Sequence, residues 1–166
     1  MLKKLVLESP LRSKPEAGPV HVYTDGGVIG NPGPGGYAVA WERANRRPKT
    51  ITGYSAQTSN NRMELKAVEC ALRKCPPNWN IIIHSDSQYV VKGMTQWRKG
   101  WETGGWVNRQ GRPVLNIDLW QAIITLVNSR KGRTQFVWVR GHNGDRMNEL
   151  VDRLANARAR RGVSDG

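Results

Sequence analysis

Two short, uninterrupted apolar runs constrain the fold of this chain more than any other feature of its sequence. One lies within Asn80–His84, which reads NIIIH, and the other within Gln135–Arg140, which reads QFVWVR. Continuous runs of this length are typical of strands that are covered on both faces of a sheet. Between them, apolar residues recur at helical spacing from Leu119 to Val127. Strands that alternate with helices in this way indicate an α/β layer fold.

The remaining segments complete that pattern. Three strand-like segments come first, close enough together to form an antiparallel meander: Val20–Thr24, Tyr37–Arg43 and Thr50–Gln57. Helical spacing then predicts helices over Asn60–Lys74 and from about Arg146, the last one ending before the run ARARRGVSDG. Helical pieces are also predicted from Ser87, with a loop around Gly104–Pro113 and a helix capped by Asn116. The sequence therefore predicts an α/β protein whose five-stranded mixed sheet is flanked by helices.

The length of the chain, 166 residues, is that of one domain. We predict a flexible N-terminal arm over residues 1–18, a single domain over 19–161 and a short tail over 162–166. The opening MLKKLVLESP is not a signal peptide, and no apolar run is long enough to span a membrane. Cys70 and Cys75 are not spaced for a zinc site or a disulfide framework, so we expect reduced thiols. A monomeric, cytoplasmic protein with no membrane contact is expected.

Charge narrows the class of binding partner. The 26 Lys and Arg residues exceed the 13 Asp and Glu residues, which gives a net charge of +13. Such a surplus favours a polyanion, with nucleic acid first and a membrane surface second. A basic protein with no specific partner is the alternative.

A glycine-rich segment follows the first predicted strand. It reads YTDGGVIGNPGPGGY over Tyr23–Tyr37, and six of the eleven residues from 26 to 36 are glycine. It is not a nucleotide-binding P-loop, because it lacks G-K-[ST] and because Pro32 and Pro34 remove two N–H donors. Asp25 also carries the wrong charge for direct contact with a phosphate. We infer that Asp25 holds a cation and that the cation holds the phosphate, which requires further carboxylates.

Three other acids lie where such carboxylates are needed. Asp86 follows the NIIIH strand as Asp25 follows the first one, and ligand sites in α/β sheets form at these strand ends. Glu64 occupies the apolar stripe of its helix, and Asp152 lies near the inner face of the last helix. A cap or a salt bridge is the commoner explanation for any one acid. Four together indicate a cluster whose repulsion a hard divalent cation offsets, Mg²⁺ first and Mn²⁺ as its substitute.

Five sequence blocks stand in a fixed order between Val20 and Asn156. They are YTDGGVIGNPGPGGY, TSNNRMELKA, HSDSQYVVKGMTQW, NIDLWQ and WVRGHNGDRMNELVDRLA. Their residues and spacing closely resemble the type I ribonuclease H family of bacteria. The resemblance implies a ribonuclease-H-like fold and endonucleolytic hydrolysis of the RNA strand in RNA–DNA hybrids. It also implies two-metal-ion catalysis, with two Mg²⁺ ions per active site, that leaves 5′-phosphate and 3′-hydroxyl ends.

The resemblance assigns roles to individual positions. The implied catalytic acids and metal ligands are Asp25, Glu64, Asp86 and Asp152. His142 matches a mobile-loop histidine that assists proton transfer or product departure. The implied contacts to the hybrid are Asn31, Asn60, Asn61 and Gln88 in the minor groove, Ser59 and Asn116 at a DNA-strand phosphate, and Trp97 and Trp101 along the DNA channel. The glycines after Asp25 are expected to let the backbone approach the nucleic acid.

The tryptophans divide by their sequence context. Trp120 and Trp138 lie in core-patterned segments, so we expect them to pack inside the protein. Trp97, Trp101 and Trp106 are interleaved with basic residues in a predicted loop-rich protrusion, which suits stacking on sugars or bases. Within it, the sequence ETGG stands where many bacterial relatives carry a cluster of lysine and arginine residues. This chain therefore has fewer basic residues in the protrusion than those relatives.

Two other functions remain open at this point. One is a nucleic-acid-binding module without catalysis, and the four acids and His142 argue against it. The other is a polynucleotidyl transferase of the integrase or transposase kind, which shares the fold. The GNPGPGG and NNRMEL blocks favour the ribonuclease over the transferase.

Overall fold

The structure, a computed structural model, describes residues 18–164. The strands are β1 (Val20–Val28), β2 (Gly33–Arg43), β3 (Arg46–Thr58), β4 (Ile81–Ser85) and β5 (Thr134–Trp138). The helices are α1 (Asn60–Lys74), α2 (Gln88–Lys92), α3 (Arg98–Thr103), α4 (Ile117–Ser129) and α5 (Arg146–Ser164), and a π-helical segment, Gly93–Trp97, joins α2 to α3. The predicted arm, residues 1–18, lies outside the described residues except for Gly18. The last helix runs through the predicted start of the tail, and residues 165–166 lie outside the described chain.

The five strands form one mixed sheet in the order β3-β2-β1-β4-β5. The pairs β1–β2 and β2–β3 are antiparallel, so the predicted meander is confirmed. The pairs β1–β4 and β4–β5 are parallel, as the two continuous apolar runs indicated. The predicted fold class, a five-stranded mixed α/β sheet flanked by helices, is therefore confirmed.

Alternating residues along β2 divide the core between the two faces of the sheet. Val39 and Trp41 point to one face and pack in the larger core with residues of α1 and α4. Ala38 and Ala40 point to the other face and pack against α5, which contributes Met147 and other apolar residues. Among residues 18–164, no helix has the length and the apolar sequence that crossing a bilayer requires.

Both ends of α1 are held by side chains, which fixes the helix that carries Glu64. At the start, the Ser59 hydroxyl accepts a hydrogen bond from a first-turn amide at 3.3 Å. At the end, the Arg130 guanidinium donates to four carbonyl oxygens between Leu72 and Trp79, at 3.0–3.3 Å. Leu72 and Cys75 stand at the end of α1, where carbonyl oxygens lack partners within the helix, so Arg130 supplies hydrogen bonds to them and ties the helix end to the loop that follows.

Two glycines of the glycine-rich segment let helices approach the sheet from opposite faces. A Cβ at Gly26 would overlap the backbone of Met63 and lie 2.5 Å from the amide nitrogen of Glu64 in α1. A Cβ at Gly36 would overlap the carbonyl oxygen of Ala155 in α5. The neighbours that require glycine at these two positions are helices of the same chain, whereas the expected approach of the backbone to nucleic acid stays a prediction.

The region predicted as a loop-rich protrusion is partly helical. Trp97 ends the π-helical segment and Trp101 lies in α3, in agreement with the helical pieces predicted from Ser87, and the predicted loop around Gly104–Pro113 follows them. Trp101 and Trp106 are half-buried and stack on each other, with ring centroids 5.8 Å apart. Trp101 also lies 5.0 Å from the buried Trp120, whose core position was correctly predicted. Aromatic packing, which helical spacing does not reveal, orders this segment.

The close approach of α5 to β2 predicts unequal effects of two glycine substitutions. Gly36→Ala would force a methyl group against α5 and should lower the free energy of unfolding by about 2 kcal/mol. Gly100→Ala, in α3, adds a methyl group in open space and should be neutral or raise it by about 0.5 kcal/mol. Urea unfolding followed by circular dichroism measures both. Equal stability of the two variants would show that α5 does not constrain Gly36.

Candidate active site

The parallel pairing of β1 with β4 brings two of the predicted acids together. Tyr23 of β1 stands opposite His84 of β4, and Asp25 and Asp86 each follow two residues further along. Asp25 is 5% exposed, and Asp86 is half-buried. The two carboxylates therefore lie side by side, the arrangement expected if their strands were neighbours.

Glu64 reaches the same place from α1. It is 8% exposed, and the contact of α1 with Gly26 brings its backbone next to β1. Carboxylate oxygens of Asp25, Glu64 and Asp86 all lie within 4.8 Å of one another. One oxygen of Glu64, Oε2, is buried without a hydrogen-bond partner. An all-oxygen donor set with an unpaired buried carboxylate oxygen fits a hard divalent cation.

Asp152 faces this group from α5. All four acids line one open cleft of about 370 Å³, together with Asn60, Asn61 and Asn156. Asp152 Oδ1 accepts a hydrogen bond from the side-chain amide of Asn156 at 3.2 Å. The structure thus brings the four predicted acids to one cleft, three of them as a tight cluster and Asp152 at its side.

Burial and mutual repulsion perturb the acids of the cluster. Burial, with the charges of Asp86 and Asp152, raises the pKa of Asp25 to about 7, although a hydrogen bond with Glu64 opposes the rise. Burial and the neighbouring Asp25 raise the pKa of Glu64 well above its ordinary value. Burial, followed by the charge of Asp152, raises the pKa of Asp86. Carboxylates that retain protons in this way indicate a site that is incomplete without a positive charge.

His142 lies on the loop that follows β5. Its side chain is exposed, and its backbone has a left-handed φ of 54°. The preceding residue, Gly141, lies so near Asp86 that a Cβ there would be 3.1 Å from Asp86 Oδ2. The charge of His142 also opposes the rise in the pKa of Asp86. The loop therefore carries the predicted histidine to the edge of the acidic cleft.

The asparagines predicted to read the minor groove lie beside the cleft. The backbone amide of Asn60 donates to Asn31 Oδ1 at 3.2 Å, and Asn60 Oδ1 accepts from the amide of Val28 at 3.2 Å. These bonds fix the two side chains and leave their NH₂ groups for a ligand. Asn61 lines the cleft, and Gln88 is exposed at the start of α2.

The predicted phosphate pocket is organised by a residue whose partner the sequence did not identify. Arg62 donates to Asn116 Oδ1 at 3.2 Å and forms two hydrogen bonds with Asp118, at 3.0 and 2.7 Å. This guanidinium lowers the pKa of Asp118 to about 2. Asn116 stands at the start of α4 but does not cap it, because its amide instead donates to Tyr89 Oη at 3.1 Å. The predicted capping role of the Asn116 side chain is therefore wrong, and of the two residues assigned to this pocket only Ser59 caps a helix with its side chain.

Two of the assigned tryptophans differ in exposure, and a third has an unforeseen contact. Trp97 is 39% exposed, whereas Trp101 is half-buried beneath it, with ring centroids 6.0 Å apart. Trp138, predicted to be in the core, is 45% exposed on the edge strand β5. Its indole N–H donates to the carbonyl oxygen of Asp86 at 3.1 Å. The signal that could have found this contact is its position at the carboxyl end of a strand beside β4.

A mixed α/β sheet with clustered carboxylates at its strand ends, on a strongly basic chain, defines a candidate cation-dependent enzyme of nucleic acids. Comparisons with known proteins identify the family of this chain. The RNase H family matches residues 17–160. The Ribonuclease H of Bordetella avium is 46% identical over 144 residues, which is 87% of this chain and 92% of that protein. The Ribonuclease H of Pelobacter propionicus is 49% identical over 137 residues, 82% of each chain.

A solved structure agrees with these relatives. LC9-RNase H1, a type 1 RNase H with the type 2 active-site motif, is 33% identical and superposes with a TM-score of 0.72. The match covers 84% of this chain and 71% of that one. The chain therefore belongs to the RNase H family, and the type I resemblance found in its sequence is confirmed. As a member of this family it is an enzyme, a ribonuclease H.

Repulsion within the cluster predicts that removing one charge stabilises the metal-free protein. The folded-state pKa of Asp25, about 7, lies above its unfolded value of 3.8, so its ionisation destabilises the fold increasingly as pH rises from 4 to 7. Asp25→Asn should therefore raise the free energy of unfolding by about 2 kcal/mol at pH 8 in EDTA. The gain should shrink toward pH 4 and disappear when excess Mg²⁺ is added. Chemical unfolding at pH 8 and at pH 4 measures this difference in the free energy of unfolding.

Glu69→Gln is the matched control for this measurement. Glu69 forms an ion pair with Arg73 on α1 and does not belong to the cluster. Its removal should change stability by less than about 1 kcal/mol at both pH values. An Asp25→Asn protein that is no more stable than the parent at pH 8 would show that the cluster is not strained.

Proposed function

We propose that this chain is a monomeric, cytoplasmic endonuclease that hydrolyses the RNA strand of RNA–DNA hybrids. The observation that carries the proposal is the meeting of oxygens from Asp25, Glu64 and Asp86 within 4.8 Å, in a cleft that Asp152 also lines. The relatives named Ribonuclease H support this substrate class. The net charge of +13 supports a polyanionic substrate.

The residues of the cleft fit two divalent cations, Mg²⁺ first and Mn²⁺ as a substitute. Asp25, Glu64, Asp86 and Asp152 would hold them, because each offers carboxylate oxygens and their shared charge requires compensation. Bound there, the two ions would supply Lewis-acid activation of a water molecule and of the leaving oxygen. The four carboxylates come from β1, the end of β4, α1 and α5. The backbone contacts between these elements hold the carboxylates in place.

The reaction exchanges one bond to phosphorus for another. The oxygen of water bonds to the phosphorus, the bond from phosphorus to the 3′ oxygen breaks, and a proton reaches that 3′ oxygen. The products are a 5′-phosphate and a 3′-hydroxyl. We assign the transfer of this proton to His142, because its exposed ring stands on the loop beside Asp86 and can exchange protons with water.

The residues around the cleft would distinguish the two strands. We assign the RNA strand to Asn31, Asn60, Asn61 and Gln88, whose amides can bond base edges and 2′-hydroxyls in a wide minor groove. We assign a DNA-strand phosphate to Ser59 and Asn116. Arg62, itself paired with Asp118, would hold Asn116 in place. The exposed Trp97, supported from below by Trp101, would contact the DNA sugars.

The proposal predicts cleavage only where RNA is paired with DNA. Labelled RNA–DNA hybrid, RNA duplex and DNA duplex should be incubated with Mg²⁺, with and without EDTA, and the products resolved by length. We expect the RNA of the hybrid to be cut internally, leaving 5′-phosphates, and EDTA to stop the reaction. Equal cleavage of DNA duplex would contradict the substrate class, and joining of DNA ends would favour a transferase.

Asp86 provides the sharpest test of the metal assignment. Asp86→Asn keeps the size of the side chain but removes a negative charge from the cleft. We expect Mg²⁺-dependent cleavage to fall by about 10³-fold or more, which is about 4 kcal/mol of transition-state stabilisation. Hybrid binding without metal should persist or strengthen, because repulsion between carboxylates and phosphate decreases.

Both quantities should be measured on one preparation, with circular dichroism to verify folding and Glu69→Gln as the control. The control should cleave at the parent rate, because Glu69 is paired with Arg73 outside the cleft. A folded, fully active Asp86→Asn protein would overturn the metal assignment. A folded variant that no longer binds hybrid would instead give Asp86 a role in recognition.

A further inference from the structure

Two of the three histidines of this chain meet on the surface of the sheet, close to the acidic cleft but not among the residues that line it. His21 lies on β1 and His84 on the neighbouring β4. The Nδ1 atom of His21 and the Nε2 atom of His84 are 2.8 Å apart. The sequence predicted only structural roles for both, because it could not show that the two strands pair in this register.

The surroundings fix one ring and leave the other accessible. His84 is half-buried, and the ring of Tyr23 stacks on it with centroids 4.5 Å apart and planes 10° apart. His21 is exposed, because α5 covers this face of the sheet over β1, β2 and β3 and leaves the side toward β4 open. Within the described residues, each ring has its one hydrogen bond with the other ring.

The spacing of the two nitrogens is that of two ligands on one ion. Metal–imidazole bonds of about 2.0–2.1 Å place two nitrogens about 2.9 Å apart at a right angle and about 3.3 Å apart in a tetrahedron. The observed 2.8 Å lies within a few tenths of an ångström of the right-angled arrangement. In the structure this space holds the hydrogen bond between the two rings. A small rotation of the exposed His21 ring would let an ion replace it.

We propose that His21 and His84 form a second metal site, which takes one late transition-metal ion such as Ni²⁺ or Cu²⁺, with water as the remaining ligands. Imidazole nitrogens favour these ions over Mg²⁺ and Mn²⁺, and a right angle between two nitrogen ligands suits their square or tetragonal geometry. The site differs from the acidic cluster in donor atoms and thus in the ion it selects.

The position of this site gives it a consequence for the fold. His21 lies on β1 four residues before Asp25, and His84 lies on β4 two residues before Asp86, which directly follows that strand. An ion bound to both rings would tie β1 to β4 directly before the acids begin. Because an ion that binds only the folded protein stabilises it, occupancy should raise the melting temperature.

Binding of Ni²⁺ to the untagged protein tests the proposal, independently of any nuclease activity. Isothermal titration calorimetry is run in excess Mg²⁺, so that the acidic cluster is occupied. The three histidines allow a complete set of variants, His21→Gln, His84→Gln and His142→Gln. We expect one Ni²⁺ site in the parent and in His142→Gln, with binding weakened about tenfold or more in the other two, which lose one arm of the chelate.

Electron paramagnetic resonance with Cu²⁺ should then show two coupled nitrogens in the parent and fewer in His21→Gln. The exposed His21 is the safer of the two positions to change, and circular dichroism verifies the fold of each variant. Equal Ni²⁺ affinity in the parent and in His21→Gln would overturn the proposal. So would loss of binding in His142→Gln alone, which would move the ion to the loop beside the cleft.

Discussion

The backbone contact between β1 and α1 at Gly26 is the constraint on which the active cleft depends. Gly26 follows Asp25 directly, and its missing side chain lets the backbone of Met63 and Glu64 lie against the strand. Any larger residue would push α1 outward and take the Glu64 carboxylate away from Asp25. Gly36 serves α5 on the opposite face in the same way and so brings Asp152 to the cleft. These two glycines of the glycine-rich segment thus serve the packing of α1 and α5 against the sheet.

The acids could be predicted from the sequence because each one breaks a local pattern. Glu64 interrupts an apolar stripe, and Asp25 and Asp86 each follow a predicted strand, although β1 itself continues past Asp25 to Val28. The continuous runs of β4 and β5 likewise identify parallel strands without knowledge of their partners. In each case the signal lies within a few neighbouring residues, and the physical cost of a buried carboxylate makes that signal strong.

Features that depend on distant partners could not be predicted in this way. Arg62 and Asp118 are separated by 56 residues, so their ion pair emerges only when α1 and α4 pack together. Trp138 has the apolar neighbours of a core residue, but β5 is an edge strand and leaves its ring exposed. Trp101 stacks on Trp106 with ring centroids 5.8 Å apart, a contact that helical spacing in the sequence does not indicate. The local sequence pattern therefore identifies the helices, the strands and the acidic residues of the cleft. Contacts between residues that are distant in the sequence decide which surfaces remain exposed.

The net charge of the protein and the charge of its cleft have opposite signs, and they act over different distances. The surplus of 13 positive charges attracts a polyanion that comes within the screening length of about 8–10 Å of the surface. At contact, the carboxylates of Asp25, Glu64 and Asp86 would repel the phosphate they must receive. Their pKa values are raised first by burial and then by the same repulsion within the protein. Divalent cations would resolve both conflicts at once, because they neutralise the cluster and present positive charge to the phosphate. The strain of the metal-free cluster is thus the physical reason why cation and substrate should bind cooperatively.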